Sequence, residues 1–371
     1  MKPYRVALVH DWLIHMRGGE KVLEALAELF PEATIYTLFY RRGKLSPVLQ
    51  KMKIEASFLQ KIPGIRSFYR WLLPFLPWTV RTLKIQNADV VISSSHCVAK
   101  GVTIPVGAVH LCYCHTPMRY LWGFEKDYFG NFPFFLKPFV RLLFPALKRA
   151  DLESNSSVHQ FISNSENVRR RIQTFYGRDA EVIYPPADLS FFRPEKGDYG
   201  DYYLVVSAFV PYKRVDLVIE AFNGLDRKLL IVGGGPLEQA YRKMRRSEKI
   251  FFLSSVSDPE LRKLYARARA LIFPTEEDFG IVPVEAQAAG TPVIAFAKGG
   301  ALESVRTGVF FEEQTAACLQ KTVLKFEETK FDRTRISAPM ASFDKRVFKE
   351  KFMELLERAL SQENVASHVP H

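Results

Sequence analysis

The sequence predicts an α/β protein of two Rossmann-like domains, on three observations. Short apolar runs suited to buried parallel strands alternate with amphipathic helical patterns along almost the whole chain. Glycines stand at strand-to-helix turns, as at Gly18-Gly19, Gly233-Gly234-Gly235 and Gly280. The alternation breaks at Pro185-Pro186 and the loop to Tyr199, then restarts at Tyr203, so the 371 residues divide into domains 1–186 and 187–342, each long enough for its own core.

In the first domain, Arg5 to Val9 reads as a strand and Glu20 to Leu29 as a helix, with Gly18-Gly19 between them letting a phosphate or an acceptor approach the backbone. His10 and Asp11, at the strand's carboxyl end, are placed to contact the acceptor. Ile35 to Leu38 and Val90 to Ser93 continue the alternation. Between them, residues 58–84 interleave Phe68, Trp71, Phe75 and Trp78 with Lys61, Arg66, Arg70 and Arg81, and residues 128–149 repeat that mixture. Rings and cations around prolines suit a lipid headgroup surface; a helix pair with a solvated basic face is the plainer alternative. His110 to Tyr113 reads as a strand, followed by the loop CHTPMRY with His115 and Arg119, the latter able to bind an acceptor phosphate. Ser163-Asn164-Ser165 caps a helix that Gly177 ends, and Glu181 to Tyr184 is the next strand.

In the second domain, the strand Tyr203 to Ser207 leads through VPYKRVD into a helix from Asp216 to Phe222. Lys213 and Arg214 at that helix start oppose the dipole preference and call for an anion or solvent; a diphosphate would serve. Leu229 to Val232 is a further strand, and Ile250 to Val256 reads as a strand and then a loop. The densest stretch is FPTEEDFGIVPVEAQAAGTPVIAFAKGG, Phe273 to Gly300. A strand ends at Phe273, a polar loop carries Glu277, and a helix opens at Phe279-Gly280. That helix runs through Ile281, Val282 and Glu285 to Gly290, and the strand Thr291 to Phe296 follows. The helix start offers four free backbone N–H groups and the positive end of its dipole, which suits a pyrophosphate. Glu277 and Glu285 bring two carboxylates to one cleft at different depths, and a sugar nucleotide presents two sets of hydroxyls to match. Glu303, after Gly299-Gly300, reads as a helix-terminal charge.

The formal net charge is +12, and residues 51–150 hold fourteen Lys or Arg against four acidic residues, 14 − 4 = +10. That asymmetry calls for an anionic partner: nucleic acid, a membrane surface or a phosphorylated acceptor. The first apolar run is too short for a signal-peptide core, and no run of eighteen apolar residues occurs, so the chain is expected in the cytoplasm, with its basic aromatic segments available to the inner membrane face. Cys97, Cys112, Cys114 and Cys318 read as buried free thiols; a zinc site from Cys112, Cys114 and His115 lacks a second ligand pair. Nucleic-acid binding has the charge but no binding motif, and leaves the Glu277/Glu285 pair unused.

The stretch from Phe273 to Gly300 resembles the E-x7-E signature of glycosyltransferase family 4, retaining enzymes of the GT-B fold. VHDWLIHMRGGEKVLEAL, VISSSHCVAKG, CYCHTPMRYLW and VPYKRVDLVIEAF extend the resemblance to the branch of bacterial O-antigen and exopolysaccharide mannosyltransferases. The resemblance implies two domains facing a central cleft, with a last helix, residues 343–371, crossing back to the first. It implies a GDP-mannose donor, with a UDP-sugar as runner-up, and a lipid-linked or glycan acceptor. It makes Gly18 and Gly19 neighbours of the donor diphosphate and His115 a contact of the donor sugar. Lys213 and Arg214 hold the phosphates with the amides around Gly280, Glu285 holds the ribose, and Glu277 the donor-sugar hydroxyls. No metal or cofactor is expected, consistent with the lack of a D-x-D motif. One departure stands out: where the family usually has an arginine, this chain has Ala208, and Arg214 is expected to replace it in part. A non-catalytic sugar-nucleotide-binding protein is the remaining alternative.

Overall fold

The computed structural model describes residues 4–123, 137–195, 200–254 and 256–366. They form two compact units: one runs to Pro186 and resumes at Phe348, and the other is Ala187–Val347.

The first unit is built on seven parallel strands: β1 (Val6–His10), β2 (Thr34–Thr37), β3 (Lys53–Ala56), β4 (Val90–Ser95), β5 (Val109–Cys114), β6 (Gln160–Ser163) and β7 (Ala180–Val182). Their spatial order is β3-β2-β1-β4-β5-β6-β7. β4 and β5 are buried throughout, which is why VVISSS and VHLCYC read as continuous rather than alternating patterns. Helix α1 (Gly18–Leu29) covers one face with Val22, Leu23 and Leu26. The capped helix α2 (Glu166–Tyr176) starts at Ser165, whose hydroxyl accepts the Val168 amide, and ends at Gly177 with φ +62°.

The second unit has six parallel strands: β8 (Tyr202–Ala208), β9 (Lys228–Gly234), β10 (Ile250–Leu253), β11 (Ala270–Phe273), β12 (Val293–Phe296) and β13 (Gly308–Phe311). Their order is β10-β9-β8-β11-β12-β13. Helices α3 (Val215–Asn223), α4 (Asp258–Arg267) and α5 (Ile281–Ala288) follow β8, β10 and β11. The last helix, α6 (Lys345–Ala366), puts Phe348, Phe352, Leu355 and Leu356 into the core of the first unit.

Strand order reverses between β1 and β4 in one sheet and between β8 and β11 in the other. Open parallel sheets bind ligands outside the carboxyl ends of the strands at such a reversal. His10, Asp11 and Ser94 to His96 lie at the first reversal, and the loops carrying Lys213 and Glu277 lie at the second.

Residues 58–84 form not a regular helix pair but a succession of short turns, Phe58–Lys61, Ile65–Phe68, Tyr69–Phe75 and Leu76–Val80, because Pro63, Pro74 and Pro77 interrupt helical bonding. Trp71, Phe75 and Trp78 are exposed there at 55%, 59% and 46%. Of the second aromatic-basic segment, residues 128–136 lie outside the described residues, as do 196–199 of the loop after Pro186. No described helix is long and apolar enough to cross a membrane. Cys97, Cys112 and Cys114 are buried free thiols and Cys318 is half-buried.

Candidate functional site

In the second unit the turn after β8 and the loop after β11 are stitched together. The Lys213 ammonium pairs with the Glu277 carboxylate. Thr275 Oγ1 donates to the Tyr212 carbonyl at 2.9 Å, and Gln314 Nε2 donates to the Pro274 carbonyl at 2.8 Å. Arg214 stands at φ +52°, and its Nη1 donates to Gln314 Oε1 at 3.0 Å while its Nε reaches Asp216 Oδ2 at 3.3 Å. The two cations expected to call for an external anion therefore have partners within the protein. A diphosphate entering here would compete with Glu277 for Lys213.

Gly280, at φ +89°, is the N-cap of α5, in a conformation that a side chain disfavours. Gly300 lets the 278–279 backbone lie against it: a Cβ there would come within 2.3 Å of Phe279 Cα. Of the four amides expected at the start of α5 one is absent, because Pro283 has no N–H, which leaves those of Gly280, Ile281 and Val282. The Phe279 ring is buried against Phe343, centroids 5.5 Å apart, so only its backbone can face a donor. Glu285 lies deeper, 5% exposed, and accepts a hydrogen bond from Tyr265 Oη at 3.2 Å. Burial, then the Glu285 charge, holds the Tyr265 hydroxyl protonated, well above its ordinary value.

In the first unit Gly18 and Gly19 form the first turn of α1 rather than the loop before it. A Cβ on Gly19 would lie 3.5 Å from both His10 and His115, so that turn rests on the two rings. Ser94 Oγ is 3.1 Å from His10 Nδ1 and 2.8 Å from His115 Nε2. Burial pushes both imidazoles down to about 3. Arg119 is half-buried, its Nε out of solvent.

Two expectations are corrected here. Asp11 is fully buried: Oδ2 accepts the His96 and Cys97 amides at 2.7 and 3.0 Å, and Oδ1 those of Val98 and Ala99 at 2.6 and 2.7 Å. His96 Nδ1 lies 3.0 Å from Oδ2 as well. Its oxygens are committed to the turn after β4, and none is left for an acceptor. His10, 1% exposed, likewise meets Ser94 rather than solvent. The sequence reading passed over Ser94, His96 and Tyr265. Ser94 and His96 sit at the β1/β4 reversal, and that position was the signal available for them.

Comparison with known proteins adds identity to this geometry. Residues 16–191 match the family model described as Glycosyltransferase Family 4, and residues 188–339 match that described as Glycosyl transferases group 1. A D-inositol 3-phosphate glycosyltransferase of Mycobacterium tuberculosis is 33% identical over 174 aligned positions, which cover 40% of this chain and 36% of the relative. The chain thus spans little more than a third of that relative. Among solved structures, Anabaena HepE in complex with UDP and glucose has a TM-score of 0.70 at 18% identity, covering 96% of this chain and all of that one. Sucrose-phosphate synthase from Thermosynechococcus elongatus gives 0.72 at 17% identity, covering 97% of this chain and all of that one. At such identities the likeness is one of fold.

Proposed function

The chain belongs to the two-domain, GT-B-type glycosyltransferases, and from that premise we propose that it transfers a hexose from a nucleotide sugar, with retention, to a lipid-linked or glycan acceptor in cell-surface polysaccharide or lipopolysaccharide synthesis. The observation that carries this reading is the set at the β8/β11 reversal: Lys213 against Glu277, three amides at the start of α5, and Glu285 behind them. As the bond from the sugar's C1 to the phosphate oxygen breaks, negative charge builds on the β-phosphate. Lys213, Arg214 and the amides of Gly280, Ile281 and Val282 stabilise it, and the reading asks for no metal or cofactor. Glu277 turns to the donor-sugar hydroxyls once Lys213 is drawn to phosphate, and Glu285 accepts from the ribose. The acceptor hydroxyl bonds to C1 on the face the phosphate leaves, and its proton passes to the departing phosphate oxygen. No protein nucleophile is required.

The donor favoured by the sequence resemblance is GDP-mannose, which makes an α-mannoside. A UDP-sugar is the second reading, supported by the UDP in the structures of HepE. On the first unit, Gly18, Gly19, His115 and Arg119 serve the reacting groups. The exposed rings of Trp71, Phe75 and Trp78, with exposed Lys61, Arg66, Arg81 and Lys84 nearby in the chain, meet anionic lipid at the inner membrane face.

Calorimetric titration with GDP, UDP and ADP, without metal and beside a Glu285→Ala variant, tests this reading. One nucleotide should bind, and the variant should weaken it by about tenfold or more, the effect of losing one hydrogen bond to a charged group. No binding by any of the three overturns the proposed donor site.

A further inference from the structure

His10, His96 and His115 form a triangle in the first unit, with ring centroids 5.8, 6.4 and 6.5 Å apart. Their hydrogen bonds determine which nitrogen of each carries the proton. Ser94 Oγ lies between His10 Nδ1 and His115 Nε2, and its single proton can serve only one of them. His10 Nε2 is buried with no partner among the described residues. An N–H left there would be an unsatisfied buried donor, whereas a bare ring nitrogen is the less costly orphan. His10 therefore carries its proton on Nδ1 and donates to Ser94. Ser94 must then donate onward to His115 Nε2, which puts the His115 proton on Nδ1. Burial keeps both rings neutral, so each has one ring proton at neutral pH.

His96 is fixed from another direction. Its Nδ1 faces Asp11 Oδ2 at 3.0 Å, and a carboxylate held by four backbone amides can only accept. In its neutral form His96 carries its proton on Nδ1, which leaves the lone pair on Nε2 of a ring that is 32% exposed.

We propose that His10 and Ser94 are positioning residues that fix His115 as a hydrogen-bond donor through Nδ1–H, while Asp11 fixes His96 as an acceptor through Nε2. The two neighbouring rings then offer opposite hydrogen-bond polarity to a hydroxyl-bearing substrate at the β1/β4 reversal. A hydroxyl is both donor and acceptor, so a sugar can satisfy the pair where a purely accepting anion cannot. The choice of a sugar rests on the transferase reading; the tautomers do not.

Two-bond proton–nitrogen spectra of the full chain, labelled with ¹⁵N-histidine and assigned through single His→Gln variants, test this at pH 7 without any ligand. His10 and His115 should each show Nδ1 in the protonated range and Nε2 in the lone-pair range, and His96 in its neutral form should show the same. Ser94→Ala should turn His115 into an average of both tautomers and leave His96 unchanged, and Ser94→Thr should restore the fixed state. His115 protonated on Nε2 in the natural protein, or His115 signals unmoved by Ser94→Ala, would overturn the proposal. If the tautomers hold and no nucleotide binds, the transferase reading falls and the hydrogen-bond chain stands.

Discussion

Glu277→Gln is the perturbation that separates the two roles proposed for the Lys213–Glu277 pair. In the unliganded protein the ammonium is held by the carboxylate, with the side chains 17% and 22% exposed. A nucleoside diphosphate must draw Lys213 away from Glu277, so part of its binding energy is spent breaking an ion pair. Exposed pairs are worth roughly 0.2–1 kcal/mol, and a pair this sheltered lies at the upper end, about 1 kcal/mol. Replacing the carboxylate by an amide of the same shape releases the cation and removes a negative charge from the phosphate's neighbourhood. The nucleoside diphosphate alone should then bind about fivefold tighter, while transfer falls by about a hundredfold as the sugar loses its orienting carboxylate. Calorimetry with the nucleotide that binds the natural protein reads the first effect, and turnover with the matching nucleotide sugar reads the second. If Glu277→Gln weakens the bare diphosphate, Lys213 is not the phosphate's partner and the assignment of both residues fails.

Four further outcomes are expected. Tyr265→Phe removes a donor from buried Glu285 and should lower the melting stability of the second unit by about 1.5–3 kcal/mol, while narrowing the preference for a ribonucleotide over its 2′-deoxy form; calorimetry with both forms would expose an unchanged preference. Arg214→Lys keeps the charge but loses the fork that spans Gln314 and Asp216, so nucleotide affinity should fall about tenfold, whereas a purely electrostatic role would leave it unchanged. His10, His110 and His115 are each pushed to about 3, chiefly by burial, so they are neutral when folded and take up protons on unfolding below their ordinary 6.5. The first unit should therefore be fully stable above pH 6.5 and lose about 1.4 kcal/mol per pH unit for each histidine as pH falls towards 3, and urea midpoints equal at pH 7 and pH 5 would refute this. Changing Trp71, Phe75 and Trp78 together to Ala should abolish cosedimentation with anionic vesicles without altering nucleotide affinity, and retained cosedimentation would remove this face as the lipid contact.

The alternation of strands and helices was legible because parallel strands buried on both faces read as continuous apolar runs, and the cap and stop at Ser165 and Gly177 are local chemistry. The candidate donor site was legible for the same reason: loop, glycine, helix and second carboxylate fall within one stretch of chain. Partnerships across the sheet were not. Lys213 finds Glu277 from 64 residues away, and Asp11 finds the amides of residues 96–99 from 85 to 88 away. Position at a strand's carboxyl end fixes the level of a side chain along the sheet. It does not say whether neighbouring amides will consume that side chain, which is what separates Asp11 from Lys213.

Ala208 draws these threads together. An arginine five residues before Lys213 would add a second cation at the end of β8, and this chain has a methyl group there instead. Arg214 compensates only in part: two of the five donors of its guanidinium are taken by Asp216 and Gln314. The Gln314 bond continues to the Pro274 carbonyl, so Arg214 also holds the loop that carries Glu277. One residue thus braces the loop and contributes charge, where an arginine at 208 would contribute charge alone. In the proposed donor site Lys213 and the three amides at the start of α5 would bear correspondingly more of the phosphate's charge. Those amides are fixed by the close approach of Gly300 to the 278–279 backbone, and Lys213 by Glu277 until a ligand takes it. The proposed phosphate site is preorganised at its backbone and switchable at its lysine, an arrangement that would link diphosphate arrival to the release of Glu277 for the sugar.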